Sequence, residues 1–267
     1  MKLLLACLLP LSLFANLTDY HALFDRFPTV LGPVGQSQEI EILLEKEAIL
    51  EAEQVVEARL ISQGTLPEVA KDWSRVGIVS EDQYFYWIRD AVRFPSGSLG
   101  TYDRILWKSA LENSPGVGVL AVFQDKKIIV NLCYRHATRS WEIELPRGMR
   151  EQGESPEDAA RREIEEETGA KIREPLYLGE MSPDAGILSS SVPLFFAEVS
   201  HVGATSHDFS EVISGNLTFT CEELKTLYQK GTLSISYQGK LITAHVRDAF
   251  LAYALFQAEI RGYLQTP

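Results

Sequence analysis

The sequence predicts an α+β fold: a mixed α+β domain over residues 73–262, preceded by a helical N-terminal extension over 16–72. Three observations carry this. Residues 38–63, QEIEILLEKEAILEAEQVVEARLISQ, place Ile40, Leu44, Ala48, Ala52 and Val55 at helical spacing, between Ser37 as N-cap and Gly64 as stop. Beyond Pro67 the chain turns to β-branched and aromatic runs, RVGIVS, YFYWIRDAVRF, GVGVLAVF and KKIIVNLCYR, separated by turn signals such as PSGSLG and QDKK. Helical patterning then returns at 155–169 and near 243–262, where Ala249, Tyr253 and Phe256 recur on one face.

Taken in order, the N-terminus opens with one lysine before a twelve-residue apolar run, Leu3 to Phe14, and then Ala15. Residues 1–15 have the shape of a secretory signal and are too short to span a bilayer. An apolar helix tucked against the domain is the alternative, and both stay open at this level. The 38–63 helix lacks a sustained heptad, which favours packing on its own domain over a coiled coil. GVGVLAVF and KKIIVNLCYR read as a hairpin; Gly116-Val117-Gly118 is followed by a strand and not a helix, so it is a poor dinucleotide loop. SVPLFFAEV is a further strand. The four tryptophans, Trp73, Trp87, Trp107 and Trp141, read as core residues before they read as base-stacking ones.

Composition narrows the function. A 267-residue chain that is 45% hydrophobic is an ordinary globular protein. Its net charge of −12 argues against a nucleic-acid partner, which needs clustered cations against the phosphates. It leaves room for an anionic small molecule, because a bound divalent cation inverts the local field. Cys7, Cys133 and Cys221 have no ligand spacing and read as free thiols, and the five histidines form no metal pattern.

GMREQGESPEDAARREIEEETGA, residues 148–170, carries eight carboxylates. Ser155 as N-cap, Pro156 at the first position, Asp158 three residues on from the cap and Gly169 as stop define a helix over 155–169. Glu163, Glu165, Glu166 and Glu167 then crowd its C-terminal turns, where the helix dipole opposes negative charge by roughly 0.3–1 kcal/mol each. Glu165 can pair with Arg161, and Arg162 with Glu166. That leaves Glu163 and Glu167 one turn apart on one face. Such a pair seats a hard divalent ion, Mg²⁺ or Mn²⁺, better than zinc.

Gly148, Glu154, Arg162-Glu163-Ile164, Glu166-Glu167 and Gly169-Ala170 match, at every fixed spacing, the signature that this stretch resembles: that of the Nudix hydrolases. The resemblance implies a loop–helix–loop on an α/β/α sandwich with a mixed β-sheet, and hydrolysis of a diphosphate linking a nucleoside to another group. It implies Glu163 and Glu167 as metal ligands, Glu166 as a ligand or held by Arg162, Glu154 in support and the backbone carbonyl of Arg147 completing the set. Gly148 would permit the turn that brings that carbonyl close. The cation would neutralise the diphosphate and ease deprotonation of the attacking water.

The flanks resemble the ADP-ribose pyrophosphatase branch over about 75–262. RDAVRFPSGSLGTYDRI looks like its first hairpin, CYRHATRSWEIELPRG its approach to the motif, and LGEMSPDAGILSSSVPLFFAEV its continuation. Arg147 departs from that branch, which has a small residue there, and SPDAG replaces a tighter turn. Arg135 is a candidate to contact the diphosphate, Glu144 to orient the site or a ligand, and Glu211, in HDFSEVI, to act as the acidic catalytic residue. The expectation is a Mg²⁺-dependent pyrophosphohydrolase of ADP-ribose or a related nucleoside diphosphate sugar. A GDP-mannose or dinucleotide hydrolase and a non-catalytic ADP-ribose sensor are the alternatives. The resemblance also implies a homodimer. Cytosolic substrates imply a cytoplasmic location, or export if residues 1–15 are cleaved.

Overall fold

In the computed structural model, which describes residues 17–36, 38–113, 115–203 and 213–265, the chain divides between Leu111 and Glu112. Residues 1–15, Ser37 and Glu211 therefore lie outside the described residues. One unit is Met1–Leu111, described from Leu17, with Asp184–Ser189; the other is Glu112–Pro183 with Ser190–Pro267.

The first unit contains α1 (Leu17–Arg26), α2 (Pro28–Leu31), β1 (Glu41–Ile42), α3 (Lys46–Ser62), α4 (Pro67–Ser74), β2 (Gly77–Glu81), β3 (Phe85–Arg93), β4 (Leu99–Trp107) and α5 (Lys108–Leu111). β3 is its central strand, paired with β4 on one edge and with β1 and β2 on the other. The sequence reading ends the helical extension at residue 72. The contacts end the unit at 111, because Ile88, Ala91 and Leu106 of β3 and β4 bury themselves with Tyr20, Leu23, Ile49 and Ala52 of α1 and α3. The 38–63 helix is also shorter than its periodicity suggests. Glu41 and Ile42 are extended and pair with Arg93 and Val92, and the Leu43 N–H donates to the Ala91 carbonyl at 2.9 Å. A free sheet edge supplies backbone partners that a helix start lacks, so the helix begins only at Lys46.

The second unit runs β5 (Val117–Val122), β6 (Ile128–Arg135), β7 (Ser140–Glu144), β8 (Arg147–Gly148), α6 (Pro156–Thr168), β9 (Ala170–Ile172), β10 (Leu176–Met181), β11 (Val192–Val202), β12 (Ile213–Phe219), α7 (Cys221–Lys230), β13 (Thr232–Tyr237), β14 (Lys240–His245) and α8 (Ala249–Ile260). Its sheet is mixed: β11 runs parallel to β5 and β14 parallel to β7, while the other pairs are antiparallel. β5 is buried at every position, as a strand covered on both faces must be. Its alternation sorts the layers. Val117, Val119 and Ala121 pack with Ala159, Ala160 and Ile164 of α6, whereas Leu120 and Val122 join the cluster containing Leu251, Ala254 and Leu255 of α8. Helix, sheet and helix form an α/β/α sandwich.

The closing helix starts later than its apolar spacing implies, at Ala249. Residues 240–245 instead form β14, paired with β13 and, at Ala244 and His245, with β7. The tryptophan reading changes as well. Trp141 is half-buried, with its ring 5.1 Å from that of Tyr237 and 5.4 Å from that of Tyr134. Trp73, Trp87 and Trp107 are surface residues, Trp73 being 58% exposed.

Candidate active site

The acidic helix forms for local reasons. The Ser155 hydroxyl accepts from the Asp158 N–H at 3.1 Å, Pro156 takes the first position, and Gly169 ends the helix at φ 69°, in the left-handed region. Ala159, Ala160 and Ile164 pin one stripe to the sheet, and this carries the adjacent stripe inward. Glu163 is 8% exposed and Glu167 6%. Glu165 points outward to Lys171 at 3.1 Å and not to Arg161, which reaches Asp158 and Glu174 instead.

Arg162 organises three of the acids. Its Nε and Nη2 donate to Glu154 at 3.0 and 2.9 Å, and its Nη1 donates to Glu163 at 2.8 Å and Glu166 at 3.1 Å. Nη2 also donates to the Met149 carbonyl at 2.8 Å, which ties the loop before the helix to the helix itself. The Arg162 hydrogen bond holds the Glu154 carboxyl below its ordinary range against partial burial, and the same acids raise the arginine. Gly148 has a steric role: a Cβ there would collide with the Glu163 carboxylate. The loop backbone and that carboxylate thus share a space only glycine leaves open.

Glu167 is held from the sheet. Its Oε2 accepts from Asn131 Nδ2 on β6 at 2.8 Å and from the Arg147 N–H at 3.0 Å. The Arg147 side chain turns away to Asp248, with Nη1 2.9 Å from both carboxylate oxygens, to Glu144 at 3.3 Å, and over the Phe250 ring. Asp248 in turn caps α8 through the N–H groups of Phe250 and Leu251 and accepts the Leu145 N–H at 2.8 Å. Burial pushes its carboxyl up and Arg147 opposes this. Glu144 also receives a fork from Arg135, Nε at 2.9 Å and Nη2 at 2.5 Å.

The structure therefore brings Glu154, Arg162, Glu163, Glu166, Glu167 and the Arg147 backbone together, with Arg135 and Glu144 reaching them through Arg147. Glu211 lies outside the described residues. Sequence reasoning missed Asn131, which sits in an apolar strand, and Asp248. The signal for Asp248 was available: an aspartate directly before the apolar run at 249–255 is an N-cap pattern.

The donor set fits a hard divalent cation. Glu154, Glu163 and Glu166 share the Arg162 guanidinium with Glu167 one turn on, the ligand atoms they offer are all oxygen, and Asn131 Oδ1 beside Glu167 is buried without a hydrogen-bond partner among the described protein groups. A separate acidic grouping, Glu222 and Glu259 near Cys221, is answered by Lys225 at 3.0 and 2.5 Å.

Residues 112–233 match the family model of the NUDIX domain. The chain carries a Nudix domain. It is 36% identical over 92 residues to an ADP-ribose pyrophosphatase of Bacillus subtilis, covering 34% of this chain and 50% of that one. It is 30% identical over 110 residues to a methanol dehydrogenase activator of Bacillus methanolicus, covering 41% and 56%. The chain thus spans about half the length of these curated relatives. A solved structure titled as an ADP compounds hydrolase superposes with a TM-score of 0.55 at 21% identity, over 71% of this chain and 91% of that one, which establishes the shared Nudix fold. Among the described residues, no helix is long and apolar enough to cross a membrane.

Proposed function

We propose that the Nudix domain hydrolyses the diphosphate bond of ADP-ribose or a related nucleoside diphosphate sugar in a Mg²⁺-dependent reaction, with Mn²⁺ able to substitute. The products are a nucleoside monophosphate and a sugar phosphate. The observation that carries this reading is the paired burial of Glu163 and Glu167, one turn apart, with the Gly148 backbone against the first and Asn131 and the Arg147 N–H on the second. Similarity to an ADP-ribose pyrophosphatase supports the substrate class.

When bound, the divalent ion supplies charge neutralisation for the diphosphate and activation of water. Glu163, Glu167 and Glu154 would hold it with the Arg147 carbonyl, and Glu166 would join them by leaving Arg162. Arg162 keeps these acids in register. Arg135, oriented by Glu144, contacts the diphosphate. Water oxygen forms the new bond to phosphorus, the bridging P–O bond breaks, and its electrons leave with the departing phosphate. Glu211 takes the water's proton. Trp73 and Trp87, which line one surface groove of the first unit with Val56 and Leu60, support a homodimer, which sedimentation of the full chain tests.

Steady-state AMP release from ADP-ribose with Mg²⁺, absent in Glu167→Gln, is the expected result. Turnover confined to GDP-mannose or diadenosine polyphosphates would move the substrate class. ADP-ribose binding without any turnover would make the protein a sensor.

A further inference from the structure

Asp248 does more than cap α8. The Phe250 and Leu251 N–H groups account for the cap. Its Oδ2 also accepts from the Leu145 N–H at 2.8 Å and from Arg147 Nη1 at 2.9 Å, so one carboxylate holds the chain on either side of Pro146. Three further contacts fix the same bend. The Pro146 carbonyl accepts from the Val119 N–H at 2.9 Å, the Arg147 guanidinium lies 4.6 Å from the centre of the Phe250 ring, and the Tyr228 hydroxyl donates to the Asp248 carbonyl at 2.7 Å. The backbone held in this way carries the Arg147 N–H, which donates to Glu167 Oε2 at 3.0 Å.

Resting on the reading of Glu163 and Glu167 as cation ligands, we propose that Asp248 is a positioning residue for that cation. Through the Leu145 N–H and the Arg147 side chain it fixes the Arg147 peptide, and with it the orientation of the Glu167 carboxylate. Helix capping does not account for the arrangement. A cap needs an acceptor and no counter-ion: Thr220 caps α7 with a hydroxyl whose partners all lie in its own first turn. Asp248 and Arg147 instead form an ion pair at 6% and 22% side-chain exposure. Such a pair is a poor source of stability, because desolvation of both ions offsets most of their attraction. What it supplies is direction. Arg147 Nη1 lies 2.9 Å from both Asp248 oxygens, so the side chain cannot swing without losing both contacts. Groups that orient a metal ligand change metal affinity by about 10–100-fold. A small side chain at 147, usual in the branch this chain resembles, could not reach Asp248, so the clamp belongs to this sequence.

The test is Mn²⁺ binding to the full chain, read by electron paramagnetic resonance, with thermal melting measured beside it. Asp248→Asn keeps an oxygen for the α8 cap and loses the charge that holds Arg147. Arg147→Met keeps an apolar stem against Phe250 and loses the guanidinium. Each should weaken Mn²⁺ affinity about tenfold. The double variant leaves neither ion of the pair buried without its partner, which protects the fold. It too should lose about tenfold and not a hundredfold, because both single changes break one connection. Thr220→Ala, which removes the α7 cap, should lower the melting temperature and leave Mn²⁺ affinity unchanged. Unchanged affinity in Asp248→Asn and in the double variant would reduce Asp248 to a helix cap and overturn the proposal. So would single losses that add in the double variant, or a Thr220→Ala protein that loses Mn²⁺ affinity equally. An unsubstituted chain that binds Mn²⁺ no more tightly than Glu167→Gln would remove the cation reading itself, and the positioning role with it.

Discussion

Two buried charge clusters, one in each unit, are built on opposite terms. In the first unit, Asp90 is almost fully buried on β3; its Oδ1 accepts from Tyr20 Oη at 2.7 Å and its Oδ2 from Arg104 Nε at 2.6 Å. Arg104 donates onward to the Leu31 carbonyl, and the neighbouring Arg89 meets Asp103 at 2.8 Å. Two acids face two bases; among the described residues, Arg104 Nη2 is the one buried nitrogen of the cluster without a hydrogen-bond partner. Burial and Asp90 together push the Tyr20 hydroxyl upward, so it stays a donor. In the second unit, Glu154, Glu163 and Glu166 share the Arg162 guanidinium, and Glu167, one turn on from Glu163, accepts from Asn131 and the Arg147 N–H. Buried ions are expensive unless matched. The first cluster sets its acids and bases one against one and so reads as architecture, while the second gathers three carboxylates on one guanidinium, with Glu163 and Glu167 at the spacing of a cation site. The difference locates function more sharply than acidity does, since exposed acids also occur at Glu222 and Glu259.

The comparison breaks most visibly if the two clusters respond alike to loss of an acid. Asp90→Ala leaves Arg104 buried without its counter-ion and should cost about 3–5 kcal/mol, read as a lower denaturation midpoint by calorimetry. Glu167→Gln relieves repulsion, so its melting temperature should hold or rise while AMP release falls by at least about 100-fold. If Glu167→Gln instead unfolds the chain as Asp90→Ala does, the α6 cluster is structural too. A smaller effect follows at Gly148. The methyl of Gly148→Ala meets the Glu163 carboxylate, and Mn²⁺ affinity by electron paramagnetic resonance should weaken by about tenfold. Unchanged affinity would separate Gly148 from the cation site.

What the sequence reveals of these clusters depends on how far apart their members lie. α6 is legible because its N-cap, first-turn proline and terminal glycine are all local, and the spacing of Glu163 and Glu167 follows once the helix is known. Arg162 is only half legible: its fourth-neighbour contact with Glu166 follows from helix geometry, but its reach to Glu154 depends on how the preceding loop folds back. Asn131 lies 36 residues from Glu167, and Asp248 lies 101 from Arg147; no periodicity connects them. The first unit shows the same limit. Residues 41–42 leave the helical pattern because β3 is waiting to pair with them, and Asp90 in YFYWIRDAVRF looks like any polar strand residue until Tyr20 and Arg104 surround it.

The smallest expected effect sharpens the contrast within the second unit, between the acid-rich helix and the ion pair of Arg247 with Glu142. Burial alone would raise the Glu142 carboxyl, but hydrogen bonds from Arg247, Ser140 and Thr138 outweigh it and hold the group below the ordinary carboxylate range. Its folded pKa is thus lower than its unfolded value of about 4.3. Glu142 therefore contributes stability that is complete above that pH and is lost as the pH falls through the lower, folded pKa. Arg247→Ala removes the main opposing hydrogen bond while burial remains. The melting temperature of that variant should depend less steeply on pH below about 4.3 than that of the unsubstituted chain. Parallel acid limbs in the two proteins would mean that Ser140 and Thr138 alone hold Glu142 charged, and that the Arg247 hydrogen bonds add nothing to it.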